Sequence, residues 1–323
     1  MRFVAALLAW LPRAFLMLAA IGLLNFALIR MAPGDPAAVL AGESGASDEQ
    51  FIAAIHRDYG LDRPLREQVF TYLRRLAVLD LGMSYRTQRP VASVIFERVP
   101  ATLLLTVPAL LLAIIVGTSL GTLAATRAGT WKDTLITSMA MLFYATPVFW
   151  VGLLLILLFS VSLEVLPPFG MASFIKKTGM PGVLDVLQHL IMPVLSLALF
   201  YMAVYVRVAR AATIEVLGRG FVRTAYAKGL SSRQTLRRHV LRNAVLPSVT
   251  LAGLQVGQLM GGAVIIESVF AWPGIGRLAF DALMQRDYNV ILGVFFVSSA
   301  MVVVANLLTD IVLRLIDPRI GRN

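Results

Sequence analysis

Between Arg98 and Arg127, and again between Asp133 and Glu164, the chain carries no charged side chain. A helix that crosses a bilayer needs about 20 consecutive, mostly apolar residues, and each of these runs is longer than that. Four further stretches meet the same requirement, so the predicted spans are 11–31, 102–126, 134–161, 186–206, 245–266 and 289–313. Only 15% of the 323 residues are charged, against 58% hydrophobic, whereas a soluble domain carries about 25% charged residues. Most of this surface therefore needs lipid as its solvent. With no cysteine, neither a disulfide framework nor a thiolate metal site is possible.

The first stretch has a competing reading as a secretory signal, because its apolar part between Arg13 and Arg30 is short. No small-residue cleavage site precedes the Pro33-Gly34-Asp35-Pro36 turn, so a retained helix over 1–31 is expected. The net charge of +11 reads as loop charge that sets orientation, and no nucleic-acid partner is expected. Arginines and lysines crowd 207–246 and recur at Arg2, Arg13, Arg127, Lys132, Arg314, Arg319 and Arg322. Both termini are accordingly placed in the cytoplasm. The arginines of 32–100 oppose this, but long loops obey the rule weakly. That segment is expected outside as small amphipathic helices. One begins at a Ser47/Gln50 capping box and stops at Gly60; another starts at Pro64 and presents Leu65, Val69, Tyr72, Leu73 and Leu76 on one face.

Glycines at 117 and 121, and at 253, 257 and 261, have the small-xxx-small spacing that lets membrane helices approach closely. Pro108, Pro147 and Pro193 are expected to kink the helices that contain them. Asn25, Asn306 and Asp310 fall in or near spans, where polar groups are costly; Asp310 and Arg314 have the spacing of a helical ion pair.

The stretch 207–246 is far longer than a connection requires, and Glu215 is its only acid. Its helical pattern is interrupted by Gly218, Gly220 and Gly229. A helix–turn–helix facing the cytoplasm would be a docking element for a cytoplasmic partner. The run Phe221-Val222-Arg223-Thr224-Ala225-Tyr226-Ala227-Lys228-Gly229-Leu230, with Arg238-His239-Val240-Leu241-Arg242-Asn243-Ala244-Val245-Leu246-Pro247 after it, resembles the EAA loop of ABC-importer permeases. More narrowly, it is similar to the dipeptide/oligopeptide/nickel permease family. The likeness extends through Gly60-Leu61-Asp62-Arg63-Pro64-Leu65, Asp80-Leu81-Gly82-Met83-Ser84-Tyr85, Pro147-Val148-Phe149-Trp150, Glu267-Ser268-Val269-Phe270-Ala271-Trp272-Pro273-Gly274 and Asp317-Pro318-Arg319. It departs from the general signature in placing Arg223, Thr224 and Ala225 where Glu-Ala-Ala stands.

The resemblance implies an all-α integral membrane fold, the six-helix, MetI-like transmembrane domain of a type I ABC importer. It comprises an N-terminal helix (1–31), an extracytoplasmic segment (32–100) and a five-helix core (101–323). It also implies a bacterial-type cytoplasmic membrane, a second homologous permease forming a heterodimer, two cytoplasmic ATPase subunits and an extracytoplasmic solute-binding protein. Its ATPase-coupling positions would be Arg223, Thr224, Ala225, Ala227, Lys228, Gly229, Leu230, Arg233 and Pro247. Asn25, Glu267, Trp272, Pro273 and Gly274 are candidates for the translocation path or for facing the binding protein. Di- and oligopeptides are the expected cargo, with nickel or a metal chelate as the alternative.

No Gly-x-x-x-x-Gly-Lys-Ser/Thr motif exists in the chain, so ATP would be used by partner subunits and no cofactor is expected here. The histidines, His56, His189 and His239, are scattered, and a metal site would want them clustered. An intramembrane serine protease would need a histidine facing a serine at membrane depth, and no Gly-x-Ser-x-Gly elbow supports one. A secondary transporter would show inverted repeats, and none is visible.

Overall fold

The computed structural model describes residues 2–31, 53, 56, 63–84, 86–173, 175 and 177–316. The 33–36 turn, the Ser47/Gln50 capping box and the 317–319 segment lie outside these residues. The helices are α1 (Arg2–Met31), α2 (Leu65–Ala77), α3 (Val91–Phe96), α4 (Val99–Ala125), α5 (Trp131–Ala145), α6 (Val148–Leu155), α7 (Met180–Leu217), α8 (Gly220–Ala227), α9 (Ser232–Thr235), α10 (Leu241–Ala244), α11 (Leu246–Val269), α12 (Ile275–Met284) and α13 (Tyr288–Ile316). Among the described residues the only strands are β1 (Met83–Ser84) and β2 (Arg89–Pro90), paired antiparallel.

Three helical stretches are individually long and apolar enough to span: Val91–Ala125, Met180–Leu217 and Tyr288–Leu313. Two bent pairs add candidates, Trp131–Ala145 with Val148–Ser162 and Ser232–Leu259 with Ala263–Val269. The first helix contributes the shorter apolar stretch Pro12–Leu28. Three single spans, two bent pairs and this stretch are compatible with six crossings.

The prolines act in two ways. Pro108 and Pro193 sit inside α4 and α7. Pro147 does not kink a continuous helix. It is the N-cap of α6, and Thr146 before it is extended at φ −87°, ψ 130°, the conformation a following proline ring enforces. The resulting bend is 102°. Beyond α6 the helix widens to a π turn over Ile156–Ser162.

The chain forms two compact units. The first joins Met1–Thr102 with Pro273–Val304. Its core is Val91, Ile95, Ile275, Ala282, Val290, Val294 and Val297. Gly293 lies so close to α3 that a Cβ there would come 2.6 Å from Val91 Cγ1. Helix α2 packs on α1, Tyr72 against Phe26 at 5.8 Å between rings and Leu73 and Leu76 over Gly22. Of the predicted apolar face, Leu65 is exposed, and Gln68 is buried in its place by donating to Arg63 O at 2.7 Å.

The second unit joins Leu103–Trp272 with Ala305–Asn323. Here α4 and α7 touch through glycine: a Cβ on Gly117 would lie 2.7 Å from Tyr205 Cβ, and one on Gly121 would collide with Val206 O. Gly253 does the same for Thr309, at 2.9 Å from Cγ2. The surroundings of Gly261 and the side chain of Arg314 lie outside the described residues. Helix α7 has 38 residues, hence a length of about 57 Å, well beyond the bilayer's hydrocarbon thickness of about 30 Å. The predicted loop from Arg207 therefore begins as about three turns of that helix.

Candidate functional site

The segment that follows α7 is a helix–turn–helix with every boundary explained by local chemistry. Gly218 and Arg219 close α7; Arg219 pairs with Glu215 at 2.6 Å on the surface. Helix α8 ends in a Schellman motif, in which Gly229 N–H donates to Tyr226 O at 2.9 Å and Leu230 N–H to Ala225 O at 3.3 Å. That motif needs a left-handed residue at its hinge, and Gly229 supplies φ +83°. Ser231 opens the next helix with a capping box: its hydroxyl accepts from Gln234 N–H, and its own N–H donates to Gln234 Oε1 at 3.1 Å. Helix α9 then passes through a π turn, Leu236–Val240, into α10.

The turn is pinned from one side only. Val222 is buried with Val216, Val240 and Ala244, and Leu236 packs against them. Ala225 is buried as well. Arg223, Thr224, Tyr226, Ala227, Lys228, Gly229, Arg233, Arg237 and Arg238 are exposed. Phe221 and Tyr226 keep 41% and 45% of their surface in the open, uncommon for aromatic side chains on a packed motif. Nothing lies within 4 Å of where a Gly229 Cβ would be. Pro247 is exposed at the start of α11. The structure thus brings eight of the nine predicted coupling positions, Arg223 to Arg233, onto one short motif, and places Pro247 beyond it.

The other candidate residues fall in separate places. Asn25, in the first unit, is 2% exposed and donates from Nδ2 to Leu292 O at 3.2 Å. It also bonds Tyr72, whose hydroxyl burial pushes up to about 12, partly offset by that bond. Asn25 is a tie between helices. Glu267 and Trp272 belong to the second unit and are fully buried. They are joined by Trp272 N–H donating to Glu267 O at 2.8 Å, in another Schellman motif whose hinge is Ala271 at φ +51°. Pro273 and Gly274 belong to the first unit. Gly274 caps α12, whose Ile275 N–H donates to Thr102 Oγ1 at 2.8 Å.

Sequence reasoning missed the pair Asp133–Arg210. Arg210 grips the carboxylate side-on, Nε to Oδ1 at 2.7 Å and Nη2 to Oδ2 at 2.8 Å. These residues stand far apart in the chain; Asp133 at the start of an uncharged run was the one available signal.

The apolar helices of this membrane protein thus carry an exposed, basic helix–turn–helix between two of the spans. Comparison with known proteins gives the class. Residues 117–322 match the family described as "Binding-protein-dependent transport system inner membrane component", and residues 2–106 match its N-terminal region. The chain belongs to this family. It is 39% identical over 313 residues to the di/tripeptide transport system permease protein DppB of Pseudomonas aeruginosa, covering 92% of this chain and 93% of that one. It is 38% identical to the dipeptide transport system permease protein DppB of Escherichia coli K12, covering 93% and 94%. It is also 38% identical to the glutathione transport system permease protein GsiC of Escherichia coli O6:H1, covering 97% and 96%. An inward-facing structure of the MetNI methionine ABC transporter superposes with a TM-score of 0.56 at 17% identity, covering 69% of this chain and 96% of that one. The fold is therefore the expected MetI-like, mostly helical transmembrane domain, and the chain is a multi-pass transport permease.

Proposed function

We propose that this chain is the membrane-spanning permease subunit of an ATP-driven importer that carries di- and oligopeptides across the cytoplasmic membrane. The observation that carries the reading is identity of 38–39% over more than nine-tenths of both chains to permeases named for di/tripeptides and dipeptides. A second homologous permease completes the pathway as a heterodimer, two ATPases drive it, and an extracytoplasmic binding protein delivers cargo. The decisive experiment places the chain in proteoliposomes with its permease partner, ATPases and binding protein. ATP-dependent uptake of a labelled dipeptide, competed by tripeptides, is expected. Uptake of nickel or a nickel chelate with no uptake of peptide would replace this reading with the metal alternative.

The exposed motif from α8 to α9 docks on the ATPase subunits, with Arg223, Lys228 and Arg233 meeting acidic groups at the rim of their cleft. Support comes from its one-sided burial and the open space around Gly229. ATP stays on those partners. Both termini and this motif face the cytoplasm, 32–100 faces outward, and 101–323 forms the translocating core. In a chain without cysteine, Thr87→Cys should react with an impermeant thiol reagent in whole cells, and Lys228→Cys only after permeabilisation. The reverse pattern inverts the topology. A path role for Asn25, Glu267, Trp272 or Gly274 requires a conformation that uncovers them, since all four are buried; Pro273 is already partly exposed.

A further inference from the structure

We propose that Asp133 and Arg210 are positioning residues for transport, a clamp that makes the α4–α5 hairpin follow the movement of α7. The proposal deepens the docking assignment above and rests on it. A push on α8 reaches the membrane first through the last turns of α7, because α7 ends at Leu217 and α8 begins at Gly220. Arg210 lies about two turns before that end.

What α7 carries with it depends on its attachments there. Arg210 holds Asp133 through two parallel N–H···O bonds of 2.7 and 2.8 Å, the geometry that only a guanidinium gives a carboxylate. The Asp133 side chain is 7% exposed and that of Arg210 32%, so the pair is partly shielded from water. Asp133 is also built into its own corner. Its Oδ2 accepts from Gly129 N–H at 3.0 Å, and Gly129 turns the chain at φ +78°. The carboxylate therefore fixes the whole α4–α5 turn, and the guanidinium fixes that turn to α7.

Two weaker contacts lie on either side. Thr122 and Thr213 hydroxyls meet at 3.5 Å between α4 and α7, and the Arg207 guanidinium sits 5.2 Å from the Tyr144 ring centroid between α5 and α7. Apolar packing of Ala140, Ala203 and Val206 continues the same seam. This seam could slide, since such packing has no directional bond; the bidentate pair cannot slide without breaking.

The test uses the complete reconstituted transporter and reads the ratio of ATP hydrolysed to peptide imported. Asp133→Asn removes the charge, and Arg210→Lys keeps a charge but not the fork. Each is expected to raise the ratio about tenfold, with Asp133→Asn still assembling with the ATPases in normal amount. The double variant should be no worse than either single one, as for partners in one interaction. A purely structural pair would lower the amount or thermal stability of the protein and leave the ratio of the surviving transporter unchanged, which overturns the proposal. So does failure of both variants to accumulate as folded protein, since that makes the pair a folding support. Gly229→Asp, run in parallel, separates the two readings. If it impairs transport while Asp133→Asn and Arg210→Lys leave the ratio untouched, docking stands and the clamp falls. If Gly229→Asp has no effect, the docking assignment itself has failed.

Discussion

Two helix ends in the second unit have the same hydrogen-bond pattern and opposite surroundings. At the end of α8 the left-handed hinge is Gly229, solvent surrounds it, and the aromatic side chains nearby stay exposed. At the end of α11 the hinge is Ala271, flanked by Phe270 and Trp272, both at most 1% exposed. Gly170 N–H donates to Phe270 O at 2.8 Å, and a Cβ on Gly152 would touch the Phe270 ring at 3.1 Å. A side chain in the left-handed region costs roughly 1–2 kcal/mol. The buried turn tolerates that cost because packing on both sides holds it. The open turn has no such packing: nothing of the chain lies within 4 Å of where a Gly229 Cβ would be, and glycine adopts the left-handed region without that cost. One turn is held by packing from within the chain; the other holds its shape through its glycine and stands open.

The comparison breaks first at Trp272. Removing a fully buried indole should cost about 3–5 kcal/mol, so Trp272→Ala should unfold many degrees earlier in detergent and accumulate poorly. A variant with an unchanged midpoint would show that the packing around Ala271 does not hold this turn. The next largest effect belongs to the open turn. Gly229→Asp adds bulk and charge where a partner is proposed to sit, yet aspartate tolerates positive φ better than most residues and would meet nothing within this chain. Insertion and amount should be normal while import falls at least tenfold, equivalent to about 1.4 kcal/mol in the coupled step. Gly229→Asn, nearly the same size without the charge, should fall less if charge dominates the clash. Wild-type import by the aspartate variant at normal abundance would return Gly229 to a purely local role.

The legibility of these features in the sequence follows the same divide. Membrane segments were legible because a long uncharged run between Arg98 and Arg127 has few other physical solutions. The Gly229 turn was legible because a glycine interrupts a helical pattern there; the Ser231/Gln234 capping box that follows was an available signal that the sequence reading did not use. At Ala271 no such signal exists: alanine is a good helix former, and only tertiary packing drives it to φ +51°. Leu79 and Arg286, two more non-glycine hinges at φ +58° and +54°, are likewise unmarked by residue type, although both side chains are exposed. Pro147 was visible, but whether a proline kinks a helix or ends it depends on neighbouring helices. The π turns at 156–162 and 236–240 leave no pattern in residue type. Asp133 and Arg210 could be paired only by knowing that α5 and α7 are neighbours, a fact of the bundle.

The smallest effect is the sharpest test, because it predicts a sign. Ala271→Gly should relieve the left-handed strain of roughly 1–2 kcal/mol, against a loss of about 0.5–1 kcal/mol from the added freedom of glycine in the unfolded chain. The balance is a gain of about 0 to 1.5 kcal/mol, seen as a rise of up to a few degrees in the thermal midpoint. Gly229→Ala runs the substitution in reverse. Nothing beyond its chain neighbours lies within 4 Å of the new methyl group, so packing does not enter; strain, less the entropy gained by losing glycine, should lower the midpoint by a similar margin. The two exchanges should therefore move stability in opposite directions. Import should change only for Gly229→Ala, since Ala271 lies in a turn the chain shapes for itself. If Ala271→Gly lowers the midpoint instead, its methyl group contributes more by packing than its backbone loses by strain, and the buried turn is held by alanine rather than in spite of it.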